Sequence, residues 1–161
     1  KMIIAGTTEA RKEALAKLLP MQYADFYAMF KALGDKPLTV RLLDPPLHEF
    51  LPSTDKDIKA LAQEINVSED LIRKRITVLH ELNPMLGNRG CRLCISKPEI
   101  TEMQGRAIFT AAMNVAKQGV KVYPQIMIPL AVSKKELQVL NIEENVFERS
   151  IASSNAILPP S

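Results

Sequence analysis

The sequence predicts an α/β protein with parallel strands, preceded by a helical segment. Short apolar runs, partly β-branched, alternate with longer stretches whose apolar residues recur at helical spacing. The strand-like runs return at intervals of about 40–50 residues, long enough for a crossover helix between each pair, as parallel pairing requires. Strands are readable near residues 38–43, 90–95 and 121–130, too few for a closed barrel of eight.

The helical lead-in covers residues 7–34. From Thr8 to Leu19, the positions Ala14, Leu15, Leu18 and Leu19 share one helical face. Pro20 brings no backbone N–H and separates this helix from a second one through Phe26, Met29, Phe30 and Leu33. Gly34 closes it as a C′ residue. Leu38-Thr39-Val40-Arg41-Leu42-Leu43 is short, apolar and partly β-branched, so it reads as a buried strand that ends at Asp44-Pro45-Pro46. A helix from Thr54 to Ile65 presents Ile58, Leu61, Ala62 and Ile65 together. Asn66-Val67 interrupts it, and Ser68 caps the next helix, with Glu69 and Asp70 in its first turn. Gly87-Asn88-Arg89-Gly90 reads as loop, and the residues after it as the second strand. Pro98 suits the first position of a long helix carrying Ile100, Met103, Ala107, Ile108, Ala111 and Val115 on one stripe and ending at Gly119. The third strand follows, then a helix capped by Ser133. The tail over 150–161 reads as irregular.

Composition narrows the class. A chain of 161 residues fits one domain. With 47% hydrophobic and 24% charged residues, global disorder is excluded. A net charge of +3 is too mild to argue for nucleic acid. No apolar run reaches the roughly 20 residues of a membrane helix. The opening Lys1-Met2-Ile3-Ile4-Ala5 is too short for a secretory signal, and its initial lysine suggests an excised or processed chain.

Four segments could carry chemistry. Cys91-Arg92-Leu93-Cys94 has the C-x-x-C spacing of a zinc or redox pair. There is no second cysteine pair, and the histidines are His48 and His80, which is poor support for zinc. A redox pair belongs at a helix start, whereas this one falls in a predicted strand, so two buried small residues is the preferred reading. Residues 57–76 resemble a helix-turn-helix, in which Arg73, Lys74 and Arg75 would face DNA. The alternative is an ordinary helical hairpin, which suits the three buried strands better. Arg41 is an arginine inside an apolar strand, costly to bury unless it meets an anion or an internal acid such as Asp44. The strand's C-terminal end is where parallel α/β sheets bind ligands. Arg89 lies among glycines that let backbone approach a bound group, so Arg41 and Arg89 are the candidate pair for one anion site. Lys134 and Lys135 read as a solvated helix start. No Walker A motif, G-x-G-x-x-G, serine–histidine–acid cluster or paired acidic magnesium site stands out.

At these residues the chain resembles a known family. "RLLDPPLHEFLP", "LHELNPMLGNRGCRL", "KPEITEMQGRAIFTAA" and "VYPQIMIPL" are similar to the phosphoenolpyruvate/pyruvate-binding domain of the pyruvate, phosphate dikinase family, in the family's order and up to about Leu137. The resemblance implies that residues 1–161 are part of a (β/α)8 TIM-type barrel, its N-terminal half. It implies a phosphotransferase that interconverts ATP, phosphate and pyruvate with AMP, diphosphate and phosphoenolpyruvate. It implies a phosphohistidine domain as partner, and substrate contacts from Arg41 and Arg89. Magnesium is implied for the full-length enzyme, with its glutamate and aspartate ligands, an asparagine and an acid cysteine expected beyond this chain. No catalytic or metal-binding residue is therefore expected within it, and neither Cys91 nor Cys94 falls in the motif of that acid. The sequence departs from the family at Asn88 (often histidine or an aromatic), Cys94 (usually glycine) and Gln125 (usually glutamate). The expectations are an isolated chain without dikinase activity, with a non-catalytic anion-binding module as the alternative beside the helix-turn-helix, self-association or pairing with a complementary fragment through uncovered strand edges and faces, no nucleic acid, no membrane, and a cytoplasmic or plastid location.

Overall fold

The computed structural model describes residues 2–3, 5–44, 51–79 and 87–140. Their elements run α1 (Thr8–Leu33), β1 (Pro37–Arg41), α2 (Asp55–Ile65), α3 (Glu69–Leu79), α4 (Gly90–Ser96), α5 (Pro98–Ala116), β2 (Tyr123–Met127) and α6 (Lys134–Leu140). The class is α/β, mostly helical, with a two-stranded parallel sheet in which Pro37 faces Tyr123 and Arg41 faces Met127. The chain divides into two compact units, one of Lys1–Ala14 and Pro45–Arg89, the other of Leu15–Asp44 and Gly90–Ser161.

The first unit is built around the α2–α3 hairpin. Thr54 caps α2 by accepting the Asp57 N–H at 3.2 Å. Asn66 takes the left-handed conformation (φ 54°) that ends the helix, as its side chain permits. Ser68 accepts the Leu71 N–H at 3.3 Å and starts α3. Ile58, Ala62 and Ile72 are buried between the two helices, with Leu61, Ile65 and Ile76 packed around them.

The second unit holds the sheet. Phe26 and Phe30 of α1 pack with Val40 of β1 and with Ala107, Ile108, Ala111 and Val115 of α5. Ile108 and Val115 are wholly buried, each worth about 1.5–3 kcal/mol over an exposed position. Two polar links tie α1 to α5 and to the turn that follows it, alongside this core. Asn114 donates to the Tyr23 hydroxyl at 2.9 Å, and Gln118 to that of Tyr27 at 2.6 Å.

Three expectations need correction. The strand expected near 90–95 is the helix α4. Gly90, Cys91, Leu93 and Cys94 are buried there while Ser96 is exposed, a pattern of one helical face and not of alternation. Lys97 precedes a proline, is driven out of the helical region (φ −138°, ψ 67°) and so separates α4 from α5. Pro20 does not divide the lead-in, because α1 is continuous through it. Pro20 and Ala16 are both exposed, so water can solvate the Ala16 carbonyl that the proline leaves without a donor. The last strand is shorter than residues 121–130, since Pro129 and the positive φ of Leu130 (59°) turn the chain away.

Candidate functional site

The parallel strands end together. Arg41 faces Met127 in the ladder, and one further bond joins the Leu42 N–H to the Met127 carbonyl at 3.0 Å. Leu42 is buried with Cys91, Cys94 and Leu140. Alternation along the strand therefore sends Arg41 to the opposite face, where its side chain is 56% exposed. Thr39 shares that face and donates its hydroxyl to Gln125 Oε1 at 2.7 Å.

The Arg41 guanidinium pairs with the carboxylate of Asp44, whose side chain is only 4% exposed. The backbone between them is clamped by Gln104, a buried residue of α5. Its Oε1 accepts the Leu43 N–H at 2.9 Å, and its Nε2 donates to the Arg41 carbonyl at 3.4 Å. Gly90 closes the far side at φ +55°. A Cβ there would lie 2.8 Å from the Pro129 carbonyl oxygen and 3.1 Å from Asp44 Oδ1, so glycine is what lets α4 begin against this carboxylate. The next residue locks the approach, as the Cys91 N–H donates to the Pro129 carbonyl at 2.8 Å.

A held cation at the C-terminal tips of parallel strands can receive an anion. Of the two partners the sequence offered Arg41, Asp44 is the one in contact. That pair does not exhaust the guanidinium, which carries five N–H donors and lies more than half in solvent. Arg89 is half-buried, with its backbone N–H on the Gly87 carbonyl at 3.0 Å. It falls in the first unit and Arg41 in the second. Gln104 was missed by sequence reasoning. The available signal was a lone amide on the apolar stripe of Ile100, Met103, Ala107 and Ile108.

Cys91 sits in the first turn of α4 and Cys94 in the turn after it, near the helix start that a redox pair would choose, and not in a strand. Their environment is nonetheless the reverse of a reactive one. Both are unbridged and buried, and burial pushes both thiols above their ordinary value. His48 and His80 lie outside the described residues. Two helices joined by a short turn, α2 and α3, are present, but Arg73 is engaged by Asp55 at 2.7 Å and Glu69 at 3.9 Å. The guanidinium of Arg75 lies against Gly6. The DNA-reading alternative gains no support. Lys134 and Lys135 are exposed at the start of α6, which Ser133 and Glu136 cap. The Glu136 carboxylate accepts the Val132 and Ser133 N–H groups at 2.8 Å each, and these bonds hold it below the usual carboxylate range.

Among the described residues no three His, Cys, Asp or Glu side chains gather to hold a metal ion. Asp44, the carboxylate at the strand tips, is occupied by Arg41. These residues do not fit a magnesium site, and no step is routed through one. No helix of the described residues is long and apolar enough to cross a membrane.

Residues 2–155 match the family described as PEP-utilising enzyme, PEP-binding domain. The chain is 52% identical over 160 residues to the chloroplastic pyruvate, phosphate dikinase of Mesembryanthemum crystallinum, covering 95% of this chain and 17% of that protein. It is 57% identical over 139 residues to the chloroplastic pyruvate, phosphate dikinase 1 of Arabidopsis thaliana, covering 85% and 14%. To the pyruvate, phosphate dikinase of Rhizobium meliloti (strain 1021) it is 53% identical over 138 residues, covering 85% and 15%. The chain thus spans 14–17% of the length of these relatives. With strand tips that present a braced arginine and a match over nearly its whole length, the chain belongs to the PEP-utilising enzymes, within their PEP-binding domain.

Proposed function

We propose that this chain supplies the arginine side of a phosphoenolpyruvate/pyruvate site in a pyruvate, phosphate dikinase. The reaction is the interconversion of ATP, phosphate and pyruvate with AMP, diphosphate and phosphoenolpyruvate. Arg41 and Arg89 are its substrate-binding residues, and β1 and β2 are neighbouring strands of a partial (β/α)8 barrel. The observation that carries the reading is the placement of Arg41, a guanidinium open to solvent at paired parallel strand tips and anchored from below by buried Asp44. Preorganised positive charge of this kind stabilises a phosphoryl group in transfer without reorganising at the moment of reaction. A phosphohistidine domain, the donor that the resemblance implies, belongs to the same proposal. So does a cytoplasmic or plastid compartment, since relatives with chloroplastic names and bacterial relatives both match.

Calorimetric titration of the chain with phosphoenolpyruvate tests the site. Saturable binding is expected, weakened by Arg41→Lys and by Arg89→Lys, because an ammonium cannot replace the bidentate fork. Arg73→Ala serves as the control. No saturable binding, or equal loss in the control, overturns the reading. Dikinase turnover is not expected of the chain alone, and pyruvate-dependent AMP consumption by it would count against the proposal. Tyr123, Met127, Val132 and Val139 are exposed apolar residues of the second unit, which supports self-association. A single monomeric species in sedimentation would remove that part.

A further inference from the structure

We propose that Asp44 is a positioning residue of the phosphoenolpyruvate/pyruvate site, holding the Arg41 guanidinium in the orientation that meets the substrate anion; this rests on the reading of the site given above. The pair is asymmetric. Arg41 is 56% exposed and Asp44 only 4%, so the acid is a fixed post and the arginine the group it aims. The post is itself braced. Gln104 binds the backbone on both sides of Leu42, at the Arg41 carbonyl and the Leu43 N–H, so α5 fixes how far Asp44 stands from the strand tip. Gly90 gives Asp44 Oδ1 its seat, since any side chain there would press on the carboxylate and on the Pro129 carbonyl. Thr39 and Gln125, the polar neighbours on the same sheet face, bond to each other.

Two effects of Asp44 on an arriving anion oppose each other. Its charge repels the anion, and its grip spares the complex the cost of ordering a long, flexible side chain. The anion would meet Arg41 on its solvent side, where water and salt weaken the repulsion. The ordering cost is incurred wherever the anion binds. Orientation therefore outweighs repulsion, and removing the charge of Asp44 weakens binding. A purely electrostatic role predicts the opposite sign.

The experiment is a double-variant cycle on the chain with phosphoenolpyruvate as titrant. It uses Asp44→Asn, Arg41→Lys and both together, with side-chain 15N relaxation of the Arg41 Nε–H measured in the unmodified chain and in Asp44→Asn. Asp44→Asn is nearly isosteric, and a thermal melt verifies its fold. Gln104→Met supplies a second variant that loosens the strand tip without altering any charge. About tenfold weaker binding is expected for Asp44→Asn, the equivalent of one side chain left to be ordered. A loss in the same direction is expected for Gln104→Met. On the Arg41→Lys background, Asp44→Asn should change affinity by less than about twofold, because its effect passes through the guanidinium. The Arg41 Nε–H should become more mobile in Asp44→Asn with no titrant present. Equal or tighter binding by Asp44→Asn, or losses that simply add, overturns the positioning role and leaves the site standing. Absence of binding by the unmodified chain overturns the site. The relaxation arm then decides the grip by itself, and an Arg41 as ordered in Asp44→Asn as in the unmodified chain overturns it.

Discussion

Two arginine–aspartate pairs, one in each unit, show how burial changes the meaning of the same chemistry. In the α2–α3 hairpin, Arg73 and Asp55 meet at 2.7 Å with side chains 46% and 77% exposed. At the strand tips, Arg41 is comparably exposed, but its partner Asp44 is 4% exposed. An exposed pair exchanges water for a partner at nearly equal free energy and can be deleted from either end. A pair with one buried member cannot, because removing the exposed member strands a charge where water reaches it poorly. Arg73 is therefore ornament on a hairpin that Ile58, Ala62 and Ile72 already hold together. Arg41 is a structural counter-ion as well as a candidate ligand-binding group.

The largest expected effect follows from that asymmetry. Arg41→Ala should destabilise the chain by about 1–3 kcal/mol in urea denaturation, because the buried Asp44 carboxylate loses its ion-pair partner. Adding Asp44→Ala should recover part of the loss, since the double variant strands no charge. Arg41→Ala and Arg73→Ala of equal stability would break the comparison. The practical consequence is that loss of phosphoenolpyruvate binding in Arg41→Ala has two causes, which is why the lysine variant is the better probe of the site.

Gly90→Ala sharpens the comparison from the other side, as it leaves both charges in place and disturbs only the seat of Asp44. The backbone there is left-handed, and the added Cβ would fall 2.8 Å from the Pro129 carbonyl oxygen. A loss of about 1–3 kcal/mol is expected, the range for a side chain forced into such a conformation. No position of the α2–α3 hairpin combines a positive φ with such a clash, since Asn66 already takes φ 54° with its own side chain in place. Gly90→Ala at unchanged stability would mean that α4 can retreat from Asp44 without cost.

The hairpin was more legible in the sequence than the site. Its caps at Thr54 and Ser68, its turn at Asn66 and its apolar spacing are all local, and local signals survive in sequence. The existence of β1 and β2 was readable, though their ends were set too far along the chain, because their apolar, partly β-branched residues have short-range character too. Arg41 stood out as a charge in an apolar run. What could not be read is long-range. Gln104 reaches Leu43 across 61 residues of chain, and Gly90 meets Asp44 only once both have been placed. The error at 90–95 has the same origin. Five apolar or small residues around Arg92 fit a strand or a short helix equally well, and only the burial of Cys91 together with Cys94 separates the two.

The thiols give a third test, in alkali. Burial raises both above their ordinary value, so the folded state resists their ionisation more than the unfolded chain does. The stability they confer is full below the ordinary thiol value and is lost as pH rises through the raised ones. Cys91→Ala and Cys94→Ala should flatten the alkaline limb of a melting-temperature profile. A thiol reagent at neutral pH should label both residues only when the chain unfolds. Rapid labelling of the folded chain would show that the strand tips open readily.

The smallest effect belongs to the exposed pair and lies at the acid end. The hydrogen bond and charge of Arg73 hold the Asp55 carboxyl below its ordinary value. A lowered carboxyl stabilises the fold above its unfolded value and loses that contribution as pH falls through the lower, folded one. Arg73→Ala should therefore leave the melting temperature near neutral pH within about a degree of the unmodified chain. Below the ordinary aspartate range the two chains should converge, since the pair is then gone from both. Added salt should erase even the small difference at neutral pH, because both side chains face solvent and are screened. The Arg41–Asp44 pair should keep most of its effect at the same salt concentration. If salt abolished both alike, burial would not be what distinguishes them.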